Sequence, residues 1–178
     1  MNEYKEIKLN IFRLFKKGQI EEAVKLFEVN DMDYFETSPT DKWNWLHELL
    51  MGFNSDKPPK KTIKFFIEKG VPINDQDRYG MTPLHYAMRG KNAEAAIALL
   101  EAGADPNIPN RDNVIPLAMI GGMPERLDLL KLMLNKGANT HYKNGNNELS
   151  IVNSMKKHLG RQEKFIPVIQ LLEQYASI

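Results

Sequence analysis

The chain has 178 residues, 42% of them hydrophobic and 26% charged, and its 24 basic and 23 acidic side chains give a net charge of +1. These values are typical of one soluble globular domain, and the even charge argues against a nucleic-acid partner, which usually meets a basic face. The chain has no cysteine, no signal-peptide pattern at its start and no apolar run near the ~20 residues of a membrane span. We therefore predict a single cytoplasmic domain over 1–178, without disulfides or a membrane partner.

Apolar triplets with the spacing i, i+3, i+4 recur along the chain, and this spacing is typical of one face of a helix. In chain order the triplets begin at Ile11, Ala23, Leu46, Ile63, Leu84, Ala96, Leu117, Leu130, Ile151 and Val168. They alternate between the first and the second helix of a pair, and one pair alone could not bury both stripes. The sequence predicts five stacked helix pairs, as units 4–38, 39–76, 77–109, 110–143 and 144–178.

Start and stop signals accompany these helices. Gly70, Gly103 and Gly137 each follow a second-helix triplet by three residues and suit a left-handed helix end, and Asn30 takes this place in the first pair. Thr82 is a predicted N-cap with Pro83 in the first turn, preceded by a turn in which Gly80 takes a positive φ. Other helices are predicted to begin at Pro59, Pro116 and Pro124.

The stretch DRYGMTPLHYAMRGKNAEAAIALLEAGADPN (77–107) closely resembles the ankyrin repeat, in which a turn precedes two antiparallel helices. It contains both the TPLH element and the GAD-x-N ending. The resemblance is strong over 70–142 and weaker in the first and last units, as expected of capping units. It implies an all-α ankyrin-repeat solenoid of about five helix-turn-helix units.

The TPLH residues have two interpretations. His85 as general base and Thr82 as nucleophile would suit a catalytic turn, but no partner residues converge on them in the sequence. The resemblance implies instead that Thr82, Pro83, Leu84 and His85 form a structural motif held by hydrogen bonds. The fourth unit departs from the motif, because Ile115 and Ala118 stand at the threonine and histidine positions. We predict a protein that is not an enzyme.

Metal and cofactor sites are not indicated. His47, His85, His141 and His158 are at least 17 residues apart, whereas helical metal ligands stand three or four residues apart. The chain also lacks the P-loop and G-x-G-x-x-G patterns of nucleotide sites. The sequence therefore predicts neither a metal nor a cofactor.

The resemblance implies a concave face that binds a protein, made of the turns and first helices. Trp45 takes the place of the motif's proline and is expected to pack, whereas Trp43, Tyr79, Met81 and Met123 are expected to be exposed. The residues left free for a partner are Asp41, Trp43, Arg78, Tyr79, Met81, Arg89, Arg111, Asp112, Val114, Met123, Asn146 and Glu148.

Two insertions, 52–60 and 156–164, lengthen the second and fifth units and are expected to project from the edge opposite the turns. The function predicted from the resemblance is stoichiometric binding of one protein partner by a chain that is a monomer on its own. Its most concrete form is a cytosolic inhibitor or a bacterial immunity protein that neutralises a toxin. The alternative is a regulatory adaptor of an enzyme or transcription factor.

Overall fold

The computed structural model describes residues 2–52, 54–146 and 148–177, and within these ranges it contains helices and turns but no strand. The α-helices are α1 Asn2–Lys17, α2 Ile20–Val29, α3 Trp45–Leu50, α4 Lys60–Glu68, α5 Pro83–Arg89, α6 Ala93–Glu101, α7 Leu127–Asn135, α8 Ile151–Leu159 and α9 Ile166–Ala176. Two 3-10 helices span Pro116–Gly122 and Glu163–Phe165. The predicted all-helical solenoid is confirmed.

The helices form two rows. The first helices of the units pack in the order α1, α3, α5, the 3-10 helix Pro116–Gly122 and α8, and the second helices pack in the order α4, α6, α7 and α9. The predicted triplets lie between the rows, and Leu99 and Leu134, which the fold requires to be inside, are 0% and 5% exposed. Burial of such a side chain stabilises a fold by about 1.5–3 kcal/mol.

The second helices end as their glycines predict. Gly70, Gly103 and Gly137 have φ angles of 84°, 97° and 82°, and after α4 the Val71 N–H donates to the Phe66 carbonyl at 3.1 Å, which closes a Schellman motif. The prediction for Asn30 is wrong, because α2 extends to Val29 and leaves Asn30 at φ −101°.

The residue after Asn30 takes the left-handed conformation instead. Asp31 has φ 49°, and the N–H of the next residue, Met32, donates a hydrogen bond to the Phe27 carbonyl at 3.0 Å. Aspartate tolerates this conformation better than most residues other than glycine and asparagine. The Asn30 side chain caps the helix in another way, by donating to the Leu26 carbonyl at 2.7 Å.

The fourth unit differs from the prediction of two α-helices that begin at prolines. Pro116 does begin a helix, but it is a 3-10 helix. Ile115 before it has no side-chain oxygen that could cap it, and Ala118 has no imidazole that could complete a capping box. Pro124 does not begin α7. It occupies a turn closed by a 3.0 Å hydrogen bond from the Arg126 N–H to the Met123 carbonyl, a place that proline favours because its φ is fixed.

The first insertion differs from the predicted projection, whereas the second is mostly exposed. In 52–60, Pro58 is buried, and its carbonyl accepts a 2.9 Å hydrogen bond from the Asn92 side chain of the next unit. Pro59 directly precedes α4, close to its predicted place. The segment 156–164 is mostly exposed and runs from the end of α8 into the 3-10 helix Glu163–Phe165. The first insertion therefore joins two units.

Candidate functional site

The turns that precede the first helices lie side by side along one edge of the stack. Backbone hydrogen bonds join consecutive turns: Arg78 N–H to the Asp41 carbonyl at 2.9 Å, Arg111 N–H to the Tyr79 carbonyl at 3.0 Å, and Gly145 N–H to the Asn113 carbonyl at 2.8 Å. Gly80 is required at this edge, since it has φ 73° and a Cβ there would lie 2.9 Å from the Arg111 nitrogen. Residues far apart in the chain are thereby brought into one row.

Half of the residues predicted to meet a partner surround one pocket of about 570 Å³, called here the turn pocket. They are Trp43, Tyr79, Met81, Arg89, Asp112 and Val114. The structure adds Tyr86, Asn110 and Met119 to its walls. The pocket combines aromatic, thioether, guanidinium and carboxylate groups, a mixture typical of protein-binding patches.

A buried carboxylate holds wall residues of the turn pocket in place. Asp77 is 5% exposed, and one of its oxygens accepts hydrogen bonds from the Trp43 indole N–H at 2.9 Å and the Tyr86 hydroxyl at 2.6 Å. The other oxygen accepts from the backbone N–H groups of Tyr79 and Met81, both at 2.8 Å. Burial would raise the pKa of Asp77, but these four donors outweigh it and lower the pKa. Asp77 is therefore ionised and holds both aromatic side chains in place.

Tyr86 and Arg89 form the wall of the turn pocket on α5. Burial, together with the hydrogen bond to Asp77 and its negative charge, raises the pKa of Tyr86 to about 12. The Arg89 guanidinium lies 4.5 Å from the centre of the Tyr86 ring, a cation–π contact, while its side chain stays exposed. The positive group is thus supported by a neutral, fixed ring.

The structure corrects three predicted exposures. Met81 and Met123 are 5% and 2% exposed and belong to the core. The Met81 carbonyl accepts a hydrogen bond from His47 at 3.0 Å, and the Met81 sulfur lies 3.4 Å from the Asn110 amide nitrogen. Residues of both neighbouring units therefore cover Met81. Trp43 is half-buried because its indole points towards Asp77. Tyr79 is exposed as predicted, at 49%.

The remaining predicted residues lie along the turn edge. The Arg78 guanidinium lies 3.4 Å from the half-buried Asp41 carboxylate and 5.0 Å from the centre of the Tyr79 ring. Arg111 is exposed beside the turn pocket. Asn146 and Glu148 are exposed in the last turn and do not line the pocket.

The TPLH residues form a capping box and not a reactive pair. The Thr82 hydroxyl lies 2.9 Å from His85 Nδ1, which also accepts from the Thr82 backbone N–H at 3.1 Å. His85 Nε2 lies 2.9 Å from the Val114 carbonyl of the next unit and donates to it. His47 repeats this bridge with Asn44 and the Met81 carbonyl. Both imidazoles are fully buried and link neighbouring units.

Replacing His85 by alanine is expected to lower the free energy of unfolding by about 1–3 kcal/mol near pH 7.5, because the Val114 carbonyl loses its donor. Burial lowers the pKa of His85, although the Val114 carbonyl acts against it. Below pH 6.5, the pKa of an unfolded histidine, the unfolded chain binds a proton at His85 more readily than the folded chain does, so the stability of the wild type falls. The variant has no His85 and does not lose this stability. The difference in unfolding free energy between wild type and variant should therefore narrow as the pH is lowered.

Urea unfolding followed by circular dichroism, at about pH 7.5 and pH 5.5, measures this difference. His158 is exposed on α8, so His158→Ala serves as the control and should unfold like wild type at both values. A His85→Ala variant as stable as wild type would show that the bridge to Val114 has no structural role.

Asp77 and Tyr86 were missed in the sequence, although a signal for Asp77 exists. Asn110 stands 33 residues after Asp77 and repeats its turn, because its side-chain oxygen accepts from the backbone N–H groups of Asp112 at 3.0 Å and Val114 at 2.9 Å. Aspartate or asparagine at this repeating position predicts such a turn. No comparable spacing indicates Tyr86, whose role depends on the indole of the preceding unit.

In the described parts of the chain, no group of three or more histidine, aspartate or glutamate side chains could hold a metal ion. None of the helices described is long and apolar enough to cross a membrane.

Comparisons with known proteins agree with the repeat geometry. The model of the family described as "Ankyrin repeats (many copies)" matches residues 46–100. A Rickettsia bellii protein named for ankyrin repeats is 41% identical over 87 residues, covering 44% of this chain and 25% of the relative. A Fowlpox virus protein also named for ankyrin repeats is 35% identical over 93 residues, 52% of this chain and 13% of the relative.

A human relative carries a different printed name. Oxysterol-binding protein-related protein 1 is 40% identical over 78 residues, which is 43% of this chain and 8% of the relative. The chain therefore spans a quarter or less of the length of these relatives.

Proposed function

Because the chain is an ankyrin-repeat protein, we propose that it binds one protein partner through the face formed by its stacked turns and first helices. Ankyrin repeats are protein–protein interaction modules and are generally non-catalytic. The observation that carries the proposal is the convergence of residues from three turns on the turn pocket. The relatives are much longer than the region they share with this chain, so nothing about the partner is taken from their names.

The turn pocket has the properties of a binding hot spot. Tyrosine, tryptophan and arginine are the residues most enriched in hot spots, and Trp43, Tyr79 and Arg89 supply one of each. The hydrogen bonds of Asp77 hold Trp43 and Tyr86 in place before any partner arrives, so little conformational entropy is lost on binding. Arg111, exposed beside the pocket, extends the face along the turn edge.

We propose further that binding is inhibitory, most concretely that of a cytosolic immunity protein that neutralises a bacterial toxin. A preordered face suits tight, stoichiometric inhibition, since the binding energy is not spent on ordering the protein. The alternative is a regulatory adaptor of an enzyme or transcription factor. The immunity role would be supported by a neighbouring toxin gene whose product becomes harmless when this chain is co-expressed. The adaptor role would be supported by a neighbouring regulatory operon.

Tyr79→Ala and Arg111→Ala are each expected to weaken binding of the native partner about thirtyfold, which corresponds to about 2 kcal/mol. Both side chains are exposed, so the melting temperature should change little. The partner is first isolated from the native host by affinity purification and mass spectrometry, and titration calorimetry then measures its affinity for each variant.

Lys164→Ala is the matched control, because this exposed lysine lies in the second insertion, away from the turn pocket. It should bind like wild type. The proposal is refuted if Tyr79→Ala and Arg111→Ala bind normally while changes in 156–164 abolish binding, because the interface would then lie on another edge.

A further inference from the structure

A second pocket lies on the same face, and of its lining residues only Trp43 was predicted to meet a partner. It has a volume of about 310 Å³ and is formed by α1, α3 and their flanks; it is called here the helix pocket. Its lining residues are Lys5, Lys8, Leu9, Phe12, Trp43, Glu48 and Met51. Leu9 and Met51 are 45% and 42% exposed, so apolar surface remains open to solvent there.

Trp43 is a wall of both the helix pocket and the turn pocket. Its indole is fixed between them by the hydrogen bonds to Asp77 at 2.9 Å and Tyr86 at 3.1 Å. The two pockets are therefore neighbours along one groove, which runs from α1 past Trp43 to the turns of the third and fourth units. A single extended segment could occupy both.

The basic groups along the groove differ in how closely carboxylates approach them. Lys8 lies 3.3 Å from Glu36 and 3.5 Å from Glu48, so two carboxylates share this one lysine and leave one negative charge in excess. Within the described residues, Lys5 at the helix pocket and Arg89 at the turn pocket have no carboxylate at ion-pair distance.

Charged groups of both signs lie beside the groove. Lys16 donates to the Met51 carbonyl at 3.1 Å and lies 5.2 Å from the centre of the Phe12 ring, with no acidic neighbour in the part of the chain described. Arg111 is exposed near the turn pocket, where Asp112 and the buried, ionised Asp77 contribute opposing carboxylates. The net positive charge of the groove is therefore small, and it is the two lining cations without a carboxylate at ion-pair distance, Lys5 and Arg89, that favour an acidic occupant.

We propose that the groove binds one extended acidic segment of the protein partner. A large apolar side chain of that segment enters the helix pocket between Leu9, Phe12 and Met51, and a carboxylate beyond Trp43 pairs with Arg89. Acidic residues beside the apolar anchor face Lys5. The inference rests on the proposed function and specifies the chemistry of the partner.

The test uses random peptides displayed on phage and selected against the immobilised full chain. The selected peptides are expected to carry aspartate or glutamate around a leucine, phenylalanine or tryptophan. Synthetic copies should bind at least tenfold more weakly to Leu9→Ser and to Lys5→Glu, measured by fluorescence anisotropy, and more weakly to wild type as salt is raised. Both positions are exposed, and circular dichroism verifies that the variants fold.

Lys131→Glu is the matched charge reversal, on the exposed side of α7 in the row of second helices, and should leave peptide affinity unchanged. Enrichment of basic or uncharged peptides, or no enrichment, overturns the inference. Peptides that lose affinity with Tyr79→Ala but not with Leu9→Ser also overturn it, while the proposed function stands. The native-partner test with Tyr79 and Arg111 is independent, so failure of the function is separately visible.

Discussion

Replacing Asp77 by alanine is expected to lower the free energy of unfolding by about 3 kcal/mol, because four donors lose a charged acceptor at once. Two of them are the backbone N–H groups of Tyr79 and Met81, which shape the turn, and two are the Trp43 indole and the Tyr86 hydroxyl. The carboxylate is nearly inaccessible to water, so solvent cannot replace it without opening the turn.

Urea unfolding near pH 7 measures the loss, and Asp75→Ala is the matched control because Asp75 is exposed two residues earlier in the same turn. The pKa of Asp77 is lowered in the fold, so its contribution is present above the unfolded value of 3.8 and is lost as the pH falls through the folded value. The difference from wild type should therefore narrow at low pH, where the protonated carboxyl still accepts weaker hydrogen bonds. Equal stability of Asp77→Ala and Asp75→Ala would contradict the role assigned to the buried carboxylate.

The same change is expected to weaken partner binding although Asp77 itself cannot touch a partner. Trp43 separates the two pockets of the groove only while its indole is held by Asp77 and Tyr86. Trp43 thus contributes both to the stability of the fold and to the shape of the binding groove. For this reason Trp43→Ala would not separate an effect on binding from an effect on folding. Tyr79 and Arg111, whose side chains stay in solvent, are better probes of binding.

The sequence was sufficient to predict the fold because the repeat is a local and redundant signal. Every unit repeats the apolar stripes, three second helices end at a glycine, and Thr82 with His85 forms the predicted capping box. In the fourth unit Ile115 provides no side-chain cap, and a 3-10 helix stands where the repeat predicts an α-helix. Departures from the motif were visible, but their geometric consequence depends on contacts with neighbouring units.

The exposure of single face residues could not be predicted in the same way. Met81 precedes a motif threonine and was expected in solvent, yet His47 and Asn110 from two other units cover it. Trp43 was expected to be free, yet Asp77 lies 34 residues further along the chain and accepts its indole N–H. The burial of these residues depends on side chains one repeat away, so it cannot be predicted from the sequence of a single repeat.

Trp45 shows the opposite case, since its packing was predicted from its place in the motif. It is 1% exposed and joins the first two units through the rings of Phe66 at 5.6 Å, Phe27 at 5.4 Å and Phe15 at 6.2 Å. Its indole N–H donates to the Asp33 carbonyl at 3.0 Å. This aromatic cluster replaces the motif residues that the divergent first unit lacks.

Trp45→Ala is therefore expected to lower the free energy of unfolding by about 3–5 kcal/mol, the usual cost of removing a buried tryptophan. Because each unit of a repeat protein touches only its neighbours, the loss should be concentrated at the junction of the first two units. Hydrogen exchange should become faster in α1 and α2 and change much less in α6 and α7. Trp45→Phe keeps an aromatic ring against Phe66 and loses the bond to Asp33, so it should cost only about 1 kcal/mol beyond the small loss of ring volume. Equal acceleration of exchange in all helices would mean that the units unfold as one block, and that the aromatic cluster is not the specific link to the first unit.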